Sequence, residues 1–513
     1  MRKTLIASLL ACTALPLMAK DLTILYTNDI HSKADPFIAR YIDENREVGG
    51  FANIAAYVEQ EKAKNPTSVF LDAGDYFSGS TIDSLTKGEA IIDIMNNMGY
   101  DAVSIGNHEF DYGWDNTLVQ LSKANFEVLL GNVFFEGSDK LFWDKPFTII
   151  ERDGIKLGII GLHGVFAFDD TVAAEMRQNI EARDEVAFLQ KYIDVIKPQV
   201  DITVALIHQG TPARQSSSGA TDVRRALDKD IETVKQVEGL DLLITGHAHV
   251  GTPEPIQVND TLILSTDGYG INVGKLVIDF DEDKRQIRGY DFNLQSIWAD
   301  EWTPKAEVQA SINKWNQYAA AITDEQITTA PEALTRAYGE SSKLGNLVAD
   351  SILATFKDAE LAFTNSGGIR EDINAGEMSY GDLIDALPFP NYPVFLKLTG
   401  KQIETLLEHA AGLTNGVMQT STGFYYEYDS SRPVGERITS ATLNGDKLQP
   451  ERVYHVATNN FLADGGDGFS AFTEGTDRIN IPDEPLHDTV KRFLASKNAF
   501  ENINEVRIID IAQ

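Results

Sequence analysis

Short apolar runs alternate with longer amphipathic segments from Asp21 to about Phe292, and this alternation restricts the fold more than any other feature. Segments such as 51–63 and 185–196 carry apolar residues at helical spacing, as surface helices do. Strands that alternate with helices predict a layered α/β domain, and two late strands indicate a mixed sheet. Strands are predicted at 22–26, 68–72, 102–105, 156–162, 202–207, 242–245, 261–265 and 275–280.

The chain has 513 residues, which is too many for one hydrophobic core. A polar, tryptophan-containing stretch at 294–330 has the pattern of a connecting helix, and the remainder carries its own strands and helices. We therefore expect an α/β protein whose N-terminal layered sandwich is joined by a helical connector to a smaller α+β C-terminal domain. The predicted boundaries are 1–19 for an export signal, 20–300 for the first domain, 301–330 for the connector and 331–513 for the second domain.

The first residues have the pattern of an export signal, with Arg2 and Lys3 ahead of an apolar stretch and a cleavage site near Ala19. The apolar stretch is shorter than the roughly 20 residues of a transmembrane anchor. The pattern therefore predicts a periplasmic or secreted protein, and lipid attachment at Cys12 is the lesser alternative. Cys12 is the only cysteine, so the mature chain has neither disulfides nor thiolate metal ligands.

The formal net charge of -33 argues against two classes of partner. A chain this acidic repels nucleic acid and anionic lipid at long range. An anionic substrate would need cations placed locally in its binding site.

The apolar runs end in side chains that bind metals. A single histidine or aspartate after a strand is usually structural or caps a helix, but here five of the nine histidines occupy such positions. Because the ends of parallel strands share one edge of a sheet, we expect these side chains to lie together. The candidates are Asp29, His31, Asp75, Asn107, His208, His247 and His249.

Imidazole and oxygen ligands without sulfur suit zinc, manganese or iron rather than calcium. Seven groups are too many for one tetrahedral ion, so the set predicts two divalent ions that share a carboxylate. Two ions about 3.5–4 Å apart can hold a hydroxide and stabilise both the attacking and the leaving oxygen of a phosphoryl displacement.

The stretch SIGNHEFDYG at 104–113 adds proton-transfer groups beside these ligands. His108 follows the candidate ligand Asn107 and is available to hydrogen-bond a phosphate oxygen or to protonate a leaving group. Asp111, three residues later, can orient that imidazole, although it can also cap a helix. Glu109 is interpreted as structural.

These motifs resemble those of the calcineurin-like metallophosphoesterases, and in particular the exported 5'-nucleotidase family. The resemblance covers nearly the whole mature chain. It rests on Asp-x-His at 29–31, Gly-Asp at 74–75, Gly-Asn-His-Glu-Phe-Asp at 106–111, His208, Gly-His-x-His at 246–249, GESSKLGNLVAD at 339–350, TNSGGIR at 364–370, LPFPN at 387–391 and NNFLADGGDGF at 459–469.

The resemblance implies a role for each matched residue. One ion would be held by Asp29, His31, Asp75 and His249, and the other by Asp75, Asn107, His208 and His247. His108 and Asp111 would form the catalytic dyad. The implied substrate residues are Asn365, Arg370, Phe461, Asp467 and, one position out of the family's register, Arg336.

One segment departs from the family pattern. Relatives that stack a nucleobase between two aromatic rings take the second ring from the segment aligned with 415–421, which reads NGVMQTS here. Phe424 or Tyr425 could replace that ring if the loop shifts.

The predicted function is an exported, metal-dependent phosphohydrolase, a 5'-nucleotidase that releases phosphate from extracellular nucleotides or another small phosphoester by attack of a metal-bridged hydroxide. The alternatives are a UDP-sugar hydrolase and a 2',3'-cyclic-nucleotide phosphodiesterase. A surface or nucleotide-binding protein without catalytic activity is the weaker alternative, because the ligand set is intact.

Overall fold

The computed structural model describes residues 20–210, 226–413, 416–496 and 498–512. The predicted export signal and Cys12 lie outside these residues. In the described part of the chain, no helix combines the length and the apolar character needed to cross a lipid bilayer.

The first half of the chain contains the predicted alternation of strands and helices. Its strands are β1 (Lys20–Thr27), β2 (Phe37–Ile38), β3 (Glu47–Val48), β4 (Ser68–Asp72), β5 (Ala102–Ser104), β6 (Glu127–Leu129), β7 (Val133–Phe135), β8 (Phe147–Arg152), β9 (Ile155–His163), β10 (Ile180–Ala182), β11 (Ile202–Gln209), β12 (Leu242–His247), β13 (Ile256–Val258), β14 (Thr261–Leu264), β15 (Asn272–Asp281) and β16 (Gln286–Ser296). Its helices are α1 (Phe51–Lys64), α2 (Thr81–Thr86), α3 (Glu89–Met95), α4 (Trp114–Leu121), α5 (Val165–Thr171), α6 (Glu185–Ile196) and α7 (Asp228–Lys235).

Two mixed sheets pack face to face in this half. The first has the strand order β16-β15-β1-β4-β5-β6, and the second has the order β13-β14-β12-β11-β9-β8. Strand β1 pairs in parallel with β4 and antiparallel with β15. Leu22 and Ile24 of the first sheet share one buried cluster with Leu157 and Val204 of the second. The expectation that all ligand-bearing strands share one sheet is therefore wrong, because they are divided between the two sheets.

Helices cover the outer faces of both sheets, so the central strands are buried on both sides. Leu25 of β1 packs with Phe51 and Ile91 from α1 and α3. Ala205 of β11 packs with Leu189 of α6. Burial on two faces explains why these strands are continuous apolar runs rather than alternating ones.

The connector contains one long helix, α8 (Ala306–Thr323). Val308 and Ile312 belong to the same buried cluster as α1 and α3, so this helix packs on the first domain. The next strand, β17 (Gln326–Ala330), pairs with a strand of the second half.

The second half is a smaller mixed α/β unit, and the predicted fold class is confirmed. Its strands are β18 (Leu361–Asn365), β19 (Gly376–Ser379), β20 (Pro393–Thr399), β21 (Met418–Thr420), β22 (Phe424–Tyr428), β23 (Ile438–Leu443), β24 (Asp446–Lys447), β25 (Val453–Asn459), β26 (Thr476–Asn480) and β27 (Ile508–Asp510). Its helices are α9 (Lys343–Thr355), α10 (Tyr380–Ala386), α11 (Gly400–Gly412), α12 (Asn460–Ala463) and α13 (Leu486–Leu494).

A sheet of order β21-β18-β25-β20-β26 forms the centre of this unit, and a second sheet has the order β24-β23-β22-β27. Arg507, next to β27, ties the C-terminal end of the chain into the core. Its buried guanidinium donates to Asp350 of α9 at 2.9 and 2.8 Å and to the carbonyl oxygen of Thr420 at 2.7 Å.

Removing this buried cation should destabilise the second domain. Arg507→Met leaves the Asp350 carboxylate buried without its partner, so we expect a loss of about 3–5 kcal/mol in the free energy of unfolding. Urea titration followed by circular dichroism measures it. Arg288→Met is the matched control, because Arg288 and Asp279 form an exposed pair that solvent screens, and such pairs contribute little to stability. Equal losses in the two variants would contradict a structural role for Arg507.

Candidate active site

The candidate metal ligands converge where the two sheets meet. Asp29, Asp75 and Asn107 follow β1, β4 and β5 of the first sheet. His208 and His247 lie at the ends of β11 and β12 of the second sheet. The parallel pairing within each sheet brings the strand ends to one side, and the packing of the sheets brings the two sets together.

The described residues contain two groups of possible metal-ligand atoms. Within each group, all of these atoms lie within 4.8 Å of one another. Asp75 belongs to both groups. One group contains Asp29, His31, Asp75 and His249, and the other contains Asp75, His208 and His247.

Asn107 completes the second group with a neutral oxygen. Its Oδ1 lies 3.1 Å from His208 Nε2 and 2.9 Å from His247 Nδ1. The structure thus brings together all seven side chains that the sequence proposes as ligands.

Backbone carbonyls orient two of the imidazoles. The Nδ1 atoms of His31 and His208 lie 3.0 and 2.8 Å from the carbonyl oxygens of Ser78 and Ala73. Donation from Nδ1 leaves the Nε2 lone pair directed at the cluster, as in metal sites whose outer contacts fix the tautomer. In the second group, His247 Nε2 is buried and has no hydrogen-bond partner among the described residues.

Burial keeps most of these imidazoles neutral, which is the form that binds metal. It lowers the pKa of His31 and His247 well below the usual value and that of His249 to about 3. Burial opposes the charge of His208 as well, but contact with Asp75 outweighs it and raises the pKa of His208 to about 10. His208 would have to lose this proton to serve as a metal ligand.

The ligand loops adopt strained backbone conformations. Residues other than glycine with positive φ are uncommon and cluster at functional sites. Gly106 permits a further close approach, because a Cβ atom there would lie 2.2 Å from Asp75 Oδ1. The ligands with positive φ are Asp29 (53°), His31 (42°), Asp75 (61°), His247 (75°) and His249 (51°). The donor set, the neutral imidazoles and these tight loops fit a centre for divalent metal.

Glu109 holds two of the ligand loops in register. Its carboxylate accepts hydrogen bonds from the backbone amides of Asp75, Tyr76 and Phe77 at 3.0, 2.8 and 2.9 Å, and from Gly106 at 2.6 Å. These four hydrogen bonds agree with the interpretation of Glu109 as structural, and they support the loops that carry candidate metal ligands.

The predicted dyad lies beside the cluster. Asp111 Oδ2 lies 2.7 Å from His108 Nδ1 and also accepts a hydrogen bond of 2.5 Å from the Ser78 hydroxyl. His108 Nε2 lies 4.0 Å from Asp75 Oδ2, so this nitrogen faces the metal centre. Burial disfavours the imidazolium, but Asp111 and Asp75 outweigh burial and raise the pKa of His108.

The second domain closes the site from the opposite side. Arg370 is 8% exposed, and its Nε and Nη2 atoms are buried without hydrogen-bond partners among the described residues. A cavity of about 140 Å³ separates this guanidinium from the cluster and the dyad. Its lining includes Asp75, Asn107, His108, Asp111, His247 and His249 from the first domain and Asn365, Arg370, Phe389, Phe461 and Asp467 from the second.

Arg336 lies in a neighbouring cavity. That cavity has a volume of about 740 Å³ and shares Tyr338 with the first. Tyr269, whose ring lies 5.4 Å from that of His31, forms part of its wall. Arg336 therefore lies next to the cavity that Arg370 lines and is not part of the lining of that cavity.

The expectation that Phe424 could supply a second stacking ring is wrong. Phe424 is fully buried, and its ring packs at 5.3 Å against that of Phe363 in the core of the second domain. The lining of the catalytic cavity instead includes Ala173 and Met176 of the first domain.

Direct contacts join the two domains around the cavity. Glu175 of the first domain accepts hydrogen bonds from Asn460 at 2.8 Å and from the Tyr392 hydroxyl at 3.1 Å. Asp385 of the second domain accepts from the Thr81 amide and hydroxyl at 2.8 and 2.7 Å. Glu175 also lines the cavity, so the domain interface and the candidate site are continuous.

The sequence did not identify three residues that shape the candidate site. Their contacts join segments that are distant in the chain, and these residues are Ser78, Glu175 and Phe389. The motifs near Ser78 and Phe389 gave a partial signal, since Ser78 closely follows DAGD and Phe389 lies within LPFPN, whereas nothing in the sequence singled out Glu175.

Comparison with known families separates the same two halves. Residues 22–251 match the family model of calcineurin-like phosphoesterases, and residues 319–474 match the model of the 5'-nucleotidase C-terminal domain.

Relatives extend this similarity over most of the chain. It is 29% identical to the trifunctional nucleotide phosphoesterase protein YfkN of Bacillus subtilis (strain 168), over 89% of this chain and 32% of that protein. This chain therefore spans about a third of that relative's length. It is 26% identical to the 5'-nucleotidase of Homo sapiens, over 91% of this chain and 87% of the human protein.

A solved structure shows the same arrangement of both halves. The 5'-nucleotidase precursor from Thermus thermophilus has a TM-score of 0.82 at 25% identity. The match covers 96% of this chain and 99% of that one.

Replacing Glu109 should weaken metal binding without removing any candidate ligand. In wild type, both carboxylate oxygens of Glu109 accept hydrogen bonds from backbone N–H groups. In Glu109→Gln, one of these oxygens is replaced by an amide nitrogen, which is a donor and cannot accept them. We expect a loss of about 10–100-fold in metal affinity, the usual effect of disturbing groups that hold ligands in place. Metal retained after dialysis against graded chelator, measured by inductively coupled plasma mass spectrometry, tests this.

The exposed Glu404→Gln serves as the matched control, since Glu404 pairs only with Lys401 on the surface among the contacts described. Equal metal retention in Glu109→Gln and wild type would contradict the role assigned to Glu109.

Proposed function

This chain belongs to the 5'-nucleotidase family of calcineurin-like phosphoesterases, and from that premise we propose that it hydrolyses phosphate esters of nucleotides. One observation carries the proposal. Two groups of ligand atoms share Asp75, beside a His–Asp dyad and opposite the buried guanidinium of Arg370. This arrangement places cationic and proton-donating groups around one small cavity, as transfer of a phosphoryl group requires.

The proposed cofactor is a pair of divalent ions such as zinc or manganese, and Asp75, which belongs to both ligand groups, would contribute to holding each of them. Asp29, His31 and His249 would complete one coordination sphere, and Asn107, His208 and His247 the other. When bound, such ions supply Lewis acidity and lower the pKa of bound water. They would also add to the positive charge that Arg370 supplies at this site, in a chain whose net charge is -33.

The chain's own groups act on the phosphate and the leaving group. His108 Nε2 faces the cavity while Nδ1 is held by Asp111, so the imidazolium can donate its proton to the departing oxygen. Arg370 can donate to phosphate oxygens from the two nitrogens that have no partner among the described residues. Asn365 lines the same wall and is held at its Oδ1 by Asn459 at 3.0 Å.

The nucleoside would occupy the end of the cavity formed by Phe461 and Asp467. Phe461 offers a ring for stacking. Since no second ring comes from the 415–421 segment, Met176 of the first domain is the proposed opposite wall. A flexible thioether packs on many ring shapes, which favours a broad choice of base.

We also propose that the mature protein is exported to the periplasm or secreted, with cleavage near Ala19. The support is the charged start and apolar stretch of the first residues, and the precursor name of the Thermus thermophilus relative. N-terminal sequencing of the protein from its native host tests this proposal.

The neighbouring cavity favours a second candidate substrate. It adjoins the first at Tyr338, is lined by Arg40 and Arg336, and has room for another group attached to the phosphate. Nucleoside diphosphate conjugates such as UDP-sugars have that shape. Phosphate release from a panel of monophosphates, diphosphate sugars and 2',3'-cyclic nucleotides ranks the candidates.

Two substitutions separate the metal centre from the dyad. Asp75→Asn should abolish phosphate release from AMP and lower bound metal, because both groups lose their shared carboxylate. His108→Ala should retain the metal and reduce kcat by about 10²–10⁴-fold, the range for loss of a general acid. Metal analysis and phosphate release, measured on the same samples, distinguish the two outcomes.

Loss of metal from His108→Ala would make His108 a ligand rather than a proton donor. Full activity and metal content in Asp75→Asn would contradict the shared-carboxylate centre.

Arg370→Ala should affect nucleotides more than a small ester. Contacts with the nucleoside of AMP, remote from phosphorus, stabilise its transition state. Without Arg370 the phosphate would be misplaced, and AMP would lose the benefit of those contacts. We therefore expect the ratio of kcat/KM for AMP to that for p-nitrophenyl phosphate to fall. The exposed Arg478→Ala, whose partner is Asp464 on the surface, is the control. An unchanged ratio in Arg370→Ala would show that this residue does not read the nucleotide.

A further inference from the structure

The ring of His108 is covered by a side chain from the other domain. Phe389 of the second domain lies with its ring centroid 5.3 Å from that of His108, and the two planes are inclined by only 19°. The ring of His108 also makes a T-shaped contact with that of His31, a candidate metal ligand, at 5.0 Å and 70°. The imidazole therefore has ring contacts with both domains.

Hydrogen bonds hold the backbone and one ring nitrogen of His108, but they do not fix the tilt of the imidazole plane. Its backbone amide donates to Asp75 at 2.9 Å, and Nδ1 lies 2.7 Å from Asp111. A single ring contact at Nδ1 still permits rotation of the imidazole about that bond. A planar ring stacked on its face opposes this rotation, and such pairs contribute about 0.5–1.5 kcal/mol.

Phe389 is itself held in place from both domains. The carbonyl oxygen of Pro388 accepts a hydrogen bond of 3.1 Å from Ser84 of the first domain. The guanidinium of Arg370 lies 5.6 Å from the Phe389 ring. Phe389 thus contacts both His108 and the arginine on the opposite wall of the cavity.

We propose that Phe389 is a positioning residue that holds the His108 imidazole in its productive orientation, so that the second domain contributes to proton transfer for every substrate. The inference rests on the proposed phosphohydrolase function and deepens it. The second domain would then do more than bind the nucleoside, because even an ester without a nucleoside would depend on this ring.

The kinetic test compares Phe389→Leu with Phe389→Tyr in the full-length protein. Leucine removes the planar ring, whereas tyrosine keeps it. For p-nitrophenyl phosphate, we expect kcat to fall by about 3–10-fold in Phe389→Leu, the loss of one aromatic contact, with little change in KM. Phe389→Tyr should stay close to wild type. Phe356→Leu, a partly buried phenylalanine on another cluster of the same domain, is the matched control.

A second measurement does not depend on turnover. Diethyl pyrocarbonate modifies exposed imidazoles, and peptide mass spectrometry gives the rate at His108. Uncovering the ring should raise that rate several-fold in Phe389→Leu and leave it unchanged in Phe389→Tyr. Circular dichroism melting and metal analysis verify that each variant is folded and loaded.

Three results would overturn the inference. Equal kcat losses in Phe389→Leu and Phe389→Tyr would mean that the planar ring is not the cause. A raised KM for AMP with normal kcat on the small ester would make Phe389 only a wall of the nucleoside site. An unchanged modification rate would mean that Phe389 does not cover His108. If wild type releases no phosphate from any ester, the proposed function fails, and the modification rates still decide the contact.

Discussion

Asp75 belongs to both buried groups of candidate ligand atoms. Several features of the surrounding structure hold its carboxylate in this shared position. Its backbone has positive φ, Gly106 leaves space for its Oδ1, and Glu109 binds the amides of its loop. Burying a carboxylate costs free energy unless charges and donors surround it. Although burial opposes its charge, the nearby His208 and His108 imidazoles hold the pKa of Asp75 well below its usual range.

The division into two domains places complementary chemistry on the two walls of one cavity. The first domain brings carboxylates and imidazoles, and the second brings an arginine, an amide and aromatic rings. The walls are joined by contacts such as Glu175 with Asn460 and Asp385 with Thr81. Polar interfaces between domains permit relative movement of the domains. The geometry of the cavity therefore depends on how the two domains meet.

Many residues of the candidate site could be predicted from the sequence, because the candidate ligands lie at or just after the ends of predicted strands. His208 and His247 follow the apolar runs predicted as strands at 202–207 and 242–245, and the observed strands extend two residues further to include them. The element types were predicted for the same reason, and the strand predicted at 68–72 has those bounds. The sequence pattern did not reveal that the ligand strands belong to two sheets, because periodicity records burial and not the partner that buries a strand.

The amino-acid sequence by itself determined the alternation of strands and helices in the first domain, the ligand types and the candidate dyad, since each depends on local spacing. The tertiary structure alone decided that Glu109 supports two ligand loops and that Phe389 stacks on His108. It also placed Arg336 in the adjoining cavity and Phe424 in the core. These features join residues that are far apart in the chain, and only the packing of the sheets and the meeting of the domains sets such distances.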